Sequence, residues 1–381
     1  MDGRNRTEPN GGRARQTQKA GRRLAAVVAI VGFLFSSLIA VRVLWETGWD
    51  ATIFVAFGEE ATPTREYAEE RLGSVYLRPE QGHDGKFFFV QSNDPWVIDP
   101  DENAQVLDRP LYRSQRMLYP VLAGGGGLFG PEAIVWGMLV VNLIAMGVGT
   151  WVTSQIAIEL GGSPWWGLAF ALNLGFISEI NIGGAGVVAA AAAFGAVLMF
   201  MKSRVPAGIA LLTVAALSRE AMLLAAAGVA LWLWLEKRRT TAVIAAIVPG
   251  VSVIAWAAYL RLRIGEGSVA AEVQEIGWPF VGFLEAFESW IGDPVDLAVG
   301  VAMMLLFILY TRRVLIGRHL VGWAFVGFVL LGIVFTEQVW HSYFDITRAV
   351  APIITSFVLL VFLGSKNEQL RTASSELSQS G

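Results

Sequence analysis

The sequence predicts an all-α, polytopic helical membrane protein, and three observations carry that prediction. Over 381 residues, 54% are hydrophobic and only 16% charged, with a mean hydropathy of +0.53, far from the balance of a soluble domain. Apolar runs of about 20 residues, enough to cross roughly 30 Å of hydrocarbon, recur along the chain. The charges also separate by sign between alternate loops. The 41 Gly, 14 Trp and 22 Phe suit helices that pack on small residues and carry aromatics at the membrane boundary. With no Cys and three His, His83, His319 and His341, disulfides, thiolate centres and multi-histidine metal sites are excluded. A net charge of −3 gives nucleic-acid binding no support.

In chain order, residues 1–23 form a polar, cytoplasmic, disordered tail. The first span, 24–45, follows Arg22 and Arg23, has no small-x-small cleavage site and is followed by a loop, 46–131; it is an uncleaved signal anchor. Further spans are expected at 132–157, 163–182 and 184–201. Residues 206–235 are apolar for about 45 Å as one straight helix, too long for one crossing, and are interrupted by Ser218-Arg219-Glu220. One helix would also put the Lys202/Arg204 and Lys237-Arg238-Arg239 clusters on opposite sides, so a hairpin of two short helices is expected. Spans at 241–260, 295–311, 319–336 and 350–364 complete about ten membrane segments in a single domain, 24–365, before a second cytoplasmic tail, 366–381.

The charge distribution orients the chain. The inner segments hold 17 of the 29 Lys and Arg, whereas loop 46–131 holds 14 Asp and Glu against seven Lys and Arg, so both termini are expected in the cytoplasm and this loop outside. Two smaller outer loops follow: 261–294, with Glu272, Glu275, Trp278 and Phe280 suited to a surface helix, and 337–349, with Trp340, His341, Tyr343, Asp345 and Arg348.

The chemistry concentrates in Gly82-His83-Asp84-Gly85-Lys86-Phe87-Phe88-Phe89 and in Tyr112-Arg113-Ser114-Gln115-Arg116. An aspartate just outside the bilayer can take a proton from a hydroxyl. Arg113 and Arg116 share a face if that stretch is helical, and forked guanidinium donors suit phosphate oxygens. The alternatives are concrete: Asp84-Gly85 as a turn dipeptide, the two arginines as interfacial anchors, Arg219 with Glu220 as a mutually neutralising pair, and Asp345 with Arg348 as an exposed ion pair of small value. Charges inside a membrane nevertheless cost about 2.5–3.5 kcal/mol on insertion scales and tend to face a cavity or partner. Asp50 is a second candidate base. The Asp99-Pro-Asp101-Glu102-Asn103 stretch has Ala104 where a calcium loop needs Gly, and reads as an acidic surface turn. Gly183-Gly184-Ala185-Gly186 reads as a site of close helix packing.

The pattern Asp-Gly-x-Phe-aromatic after the first span, then Asp94-Pro95, then Tyr112-Arg113-x-Gln115-Arg116-x-x-x-Pro120 resembles the bacterial branch of the GT-C superfamily of integral-membrane glycosyltransferases. The Ser218-Arg219-Glu220 turn and Asp345-x-x-Arg348-x-x-x-Pro352 extend the likeness over about 24–364. It departs from the family pattern in His83, where an aromatic is usual, and in Gly85, where many relatives carry a second acid. The resemblance implies a bacterial inner-membrane enzyme that moves a sugar from a polyprenyl-phosphate donor to a glycan, lipid or protein acceptor, most simply with inversion. Asp84 would be its catalytic base; Arg113, Arg116, Arg219, Glu220, Arg348, Tyr112 and His83 would line the substrate site. No cofactor is required by these motifs, a divalent cation being the one candidate. A multispan lipid or glycan transporter and a non-catalytic envelope scaffold are the competing expectations; convergence of these residues on one cavity would favour the enzyme.

Overall fold

The computed structural model of the protein describes residues 10–265 and 276–361, with side chains from residue 20 onward. The expected tail 366–381, residues 1–9 and the Glu272/Glu275 pair lie outside these limits.

Most of it is helix, with almost no sheet. α1 (Asn10–Glu46) leads through a 3-10 turn, Ala51–Phe54, into a region carrying β1 (Phe57–Gly58), α2 (Thr62–Leu72), β2 (Leu77–Arg78), α3 (Gly85–Asn93), α4 (Pro100–Val106), α5 (Pro110–Arg113) and α6 (Leu118–Ala123). The apolar body follows as α7 (Pro131–Glu159), α8 (Leu168–Ala171), α9 (Leu174–Asn181), α10 (Gly186–Met201), α11 (Val205–Ser218), α12 (Leu223–Leu235) and α13 (Arg239–Ile264). The last part holds α14 (Val281–Trp290), α15 (Pro294–Gly317), α16 (Leu320–Phe325), α17 (Gly327–Val334), α18 (Glu337–Trp340) and α19 (Tyr343–Ala349), then α20 (Ala351–Val361). β1 and β2 form a two-residue parallel pairing, Phe57 with Leu77 and Gly58 with Arg78.

Among the described residues, four helices are long and apolar enough to cross a membrane: Ala20–Glu46 of α1, α7, α13 and α15; α19 and α20 form a further apolar pair bent by 67°. Only 17% of the apolar window of α13, and of α15, is buried. Ile254 and Ile308 face outward, a surface that water would penalise and lipid accepts. α10 is the opposite case. Val187 to Leu198 are buried without exception, and the Ala189–Ala193 run lets α7 and α11 approach from two sides. Buried amides supply fixed points between helices: Asn142 Nδ2 donates to Tyr119 Oη (2.9 Å) and Gly184 O (3.0 Å), and Asn173 Nδ2 to Ala351 O (2.8 Å) and Thr355 Oγ1 (3.0 Å).

The structure differs from the sequence expectation at two places. Helix α1 already begins at Asn10, so 10–23, expected as irregular tail, continues the helix. The run 163–182 is a 3-10 turn, Pro164–Gly167, followed by α8 and α9. It breaks because Asn173 caps α9, accepting from Gly175 N (3.0 Å). The run 319–336 is helical over Leu320–Val334, Val326 keeping helical angles (φ −61°, ψ −29°) between α16 and α17. Residues 206–235 are two helices, α11 and α12, parted at Arg219, which is extended (φ −154°), and a 3-10 turn, Glu220–Met222. α14 occupies 281–290, within the segment expected to hold a surface helix, with Trp278 before it exposed.

Candidate functional site

The backbone around Asp84 is clamped on both sides. Gly82 has φ +64°, and a Cβ there would lie 2.3 Å from Ala56 O; only glycine combines that conformation with so close an approach. His83 N donates to Ala56 O (3.0 Å), and the Lys86 ammonium donates to Gln81 O, closing the turn. Gly85 opens α3 where a Cβ would meet Ile182 O at 2.3 Å and Val55 O at 2.4 Å. Position 85 therefore has no room for the second acid that the family pattern would place there. Gly85→Ala should destabilise the protein by about 1–3 kcal/mol, the usual cost of overpacking, and should shift Asp84 away from its partners. A melting curve in detergent checks the first effect and a structure of the variant the second.

Three arginines from distant parts of the chain meet the Asp84 carboxylate. Arg113 Nη1 is 3.2 Å from Oδ1, and Arg116 Nη1 (3.6 Å) and Arg348 Nη1 (3.3 Å) approach Oδ2. The carboxylate itself is 27% exposed. Arg113 ends α5, its guanidinium lies 3.7 Å from the centroid of Phe87, and Asp108 grips it from behind with two 2.9 Å hydrogen bonds. Gln91 fixes the Arg113 carbonyl (2.9 Å), and the Trp256 indole of α13 donates to Ser114 O (2.8 Å), tying this loop to the apolar body. Arg116 lies beyond α5, so the two arginines do not share one helix face as expected; they converge through the turn between α5 and α6. Arg116 makes a forked pair with Glu220 (Nη2–Oε1 2.9 Å, Nε–Oε2 3.0 Å) and donates to Tyr112 Oη (3.0 Å).

Beneath this ring sits Glu179 of α9, a carboxylate only 4% exposed. It accepts from Arg219 Nη1 (3.1 Å) and from Gly186 N (2.9 Å) at the start of α10, and Arg348 Nε lies 3.9 Å away. A Cβ at Gly184 would fall 1.8 Å from Glu179 Oε2, and one at Gly186 2.6 Å from its Cδ. Gly184 and Gly186 thus make way for a carboxylate, whereas a Cβ at Gly183 would meet Phe54 O at 2.6 Å and Met138 Cε at 2.7 Å, the close packing that was expected. Arg348 also pairs with Asp345 (3.0 Å), and its buried Nε has no hydrogen-bond partner among the described residues. That atom faces the Glu179 carboxylate at 3.9 Å, within ion-pair but not hydrogen-bond range.

Electrostatics follow from this geometry. Burial would push the Asp84 carboxyl up, but Arg348, Arg116, Arg113 and Arg219 outweigh it and hold it well below the usual carboxylate range. Asp108 is likewise lowered: against burial, the Arg113 hydrogen bonds and charge prevail. His83 is lowered by burial and by Arg348, with Asp345 and Asp84 pulling weakly the other way. A lowered histidine binds its proton less readily folded than unfolded. The stability it contributes is complete above the unfolded value of about 6.5 and is lost as pH falls from there through the folded value. Asp84 adds nothing to that window, because its contribution disappears only in stronger acid, as pH falls through its depressed folded value. Melting temperature should therefore decline from about pH 6.5 downward, and His83→Gln should flatten the decline, as thermal unfolding across pH 5–8 would show.

Two cavities share Asp84 and Arg113 as their common wall. One, of about 180 Å³, is lined by Tyr112, Arg113, Arg116, Arg219, Asp345 and Arg348 among others. The other, of about 410 Å³, is lined by Gln81, His83, Lys86, Phe87, Gln105 and Asp108 among others. Of the residues singled out in the sequence, Asp84, Tyr112, Arg113, Arg116, Arg219 and Arg348 thus border the first cavity; Glu220 reaches it through Arg116. His83 lines only the second, its ring against Phe344 at 5.3 Å. Asp50 is instead a cap, accepting from Thr52 N (2.9 Å) and Thr52 Oγ1 (2.6 Å), and Asp99 caps α4 by accepting from Glu102 N (3.0 Å). The donor set does not fit the divalent cation left open above: Asp84, Glu179, Glu220 and Asp345 are each paired to arginine, and no group of three or more acidic or histidine side chains converges for a metal among the described residues. Glu179 and Asp108 were not anticipated. No family model, no curated protein and no solved structure matches the chain.

Proposed function

We propose that the protein is a GT-C-like glycosyltransferase of a bacterial cytoplasmic membrane, which takes a sugar from a polyprenyl-phosphate donor and passes it to a glycan, lipid or protein acceptor. One observation carries the proposal: a single carboxylate forms the wall between two cavities, with arginines crowding one of them. Such an arrangement suits a transfer in which a phosphate leaves on one side while a hydroxyl attacks from the other. Scattered positions would instead have favoured a scaffold.

In this mechanism the donor phosphate lies in the arginine cavity and the acceptor hydroxyl in the larger one. Asp84 takes the hydroxyl proton, the acceptor oxygen bonds to the anomeric carbon, and the bond from that carbon to the phosphate oxygen breaks with its electron pair going to the phosphate. Arg113, Arg116 and Arg348 stabilise the charge that grows there. Attack from the side opposite the leaving phosphate gives inversion at the anomeric carbon. An apolar groove of about 630 Å³, lined by Met304, Phe307, Ile308, Leu315, Val329 and Ile333 along α15 and α17, suits the prenyl chain, and Phe335, two residues beyond Ile333, borders the arginine cavity. In the proposed topology about ten membrane segments, the interrupted run 163–182 among them, leave both termini cytoplasmic and loop 46–131 with the site outside. Lys202 paired with Glu159 (3.4 Å) and Trp232 bonded to Arg318 O (3.0 Å) fit far ends of α10 and α12 held at the cytoplasmic boundary.

The test is a membrane-fraction assay with a panel of radiolabelled polyprenyl-phosphate hexoses and pentoses. Transfer of label that depends on expression of the intact chain is expected; no transfer from any donor by well-folded protein would contradict the reading.

A further inference from the structure

The four arginines of the site are already matched. Arg113, Arg116, Arg219 and Arg348 face five carboxylates: Asp84, Asp108, Glu179, Glu220 and Asp345. An incoming anion therefore meets no bare positive charge, and must compete with a carboxylate that already occupies the guanidinium donors. The five acids differ in how replaceable they are. Asp108 and Glu220 hold their arginines by forked pairs from the side away from Asp84. Glu179 is buried and also caps α10. Asp345 touches Arg348 alone, from its own helix. Asp84 is different: it lies where three arginines converge, at 3.2–3.6 Å and without a forked pair to any of them, and it borders the cavity into which they point.

We propose that Asp84 is the resident counter-ion of this arginine seat, and that a phosphate ester binds by taking its place, releasing the carboxylate toward the larger cavity. This rests on the reading of the small cavity as a phosphate site, and it adds a consequence for how the site works. While Asp84 is held by three guanidinium groups it is a poor base, because they stabilise its ionised form. Once phosphate oxygens occupy those donors, the carboxylate loses its partners and its affinity for a proton rises. Phosphate binding thus prepares the base for the hydroxyl in the neighbouring cavity, and binding becomes ordered, phosphate ligand first. The same competition helps to expel the phosphate product, since Asp84 is tethered beside the donors it once held.

The experiment measures the affinity of the purified full chain in detergent for farnesyl phosphate, and separately for inorganic phosphate, by calorimetry, in wild type, Asp84→Asn and Asp345→Asn. Both substitutions remove one negative charge from the same cavity wall, so a general charge effect would move them alike. Displacement predicts that Asp84→Asn binds farnesyl phosphate about tenfold tighter or more, the scale set by losing a competing close charge pair, and that Asp345→Asn stays within about threefold of wild type. A larger gain with farnesyl phosphate than with inorganic phosphate marks the lipid ester as the fitting source; an equal gain marks the phosphate group alone, and both support displacement. Should Asp84→Asn be poorly folded, Asp84→Ser provides a second uncharged side chain, with circular dichroism and gel filtration as the folding controls. Phosphate binding that is no tighter in the Asp84 variants, or equally tightened in Asp345→Asn, overturns the proposal and leaves the phosphate site standing. Absence of phosphate binding in every folded variant overturns both.

Discussion

Asp84→Asn should lower transfer by about 10²–10⁴-fold, the range over which a positioned general base contributes, while the protein still folds and still binds phosphate. The amide cannot take the hydroxyl proton, yet it has the size of the carboxylate and leaves the backbone clamp at Gly82 and Gly85 unchanged. The effect should fall on kcat. If Asp84 acted only as a counter-ion to the arginines, its loss would instead lower the yield of folded protein and leave the turnover of the remainder near wild type. Asp84→Glu separates the roles further: it keeps the charge but moves the carboxylate by about one bond length, which effective-concentration arguments make costly for proton transfer and cheap for charge balance. Steady-state kinetics of the three proteins in membranes provide the comparison.

Glu179→Ala should be the most destabilising single substitution in the site. It removes the buried partner of Arg219, deprives Arg348 of a nearby negative charge, and leaves Gly186 N without its acceptor. Breaking a buried ion pair on one side costs about 3–5 kcal/mol, because the remaining charge stays desolvated. The expected result is a large drop in melting temperature and a weaker affinity for the donor, since both arginines lose the group that aims them. Glu179→Gln retains a hydrogen-bond acceptor and should fall between. Because Glu179 and Arg219 are in contact, the combination Glu179→Gln with Arg219→Gln should destabilise by less than the sum of the two changes. Additive losses would mean that the pair is not coupled. Melting curves of the four proteins in one detergent decide the point.

How far the site could be read before the structure depended on what kind of signal each residue gives. Arg219 and Glu220 stood out because they interrupt an apolar run where a charge is expensive, and Asp84 stood out because of the glycines and aromatics around it. Their meeting could not be read: Arg348 is 264 residues from Asp84, and no local periodicity reports such a distance. The same rule applies to Glu179, yet its signal is weak. It lies in Leu174-Gly-Phe-Ile-Ser-Glu-Ile, a stretch whose average hydropathy conceals one acid, and it was absorbed into a span. Asp108 was one acid among many in an acidic loop, and only its forked grip on Arg113 distinguishes it. The helical class followed directly from composition and run length, whereas the break at Asn173 depends on side-chain capping that the apolar pattern does not encode.

The most direct test of the central claim is a cryo-electron microscopy structure of the full chain in a lipid nanodisc with a non-transferable polyprenyl-phosphate sugar analogue. The account predicts phosphate oxygens at hydrogen-bond distance, about 2.7–3.2 Å, from Arg113, Arg116 or Arg348, with the sugar reaching past them to Asp84 and the prenyl chain along α15 and α17. A phosphate bound elsewhere, with the three guanidinium groups still closed on Asp84, would contradict it.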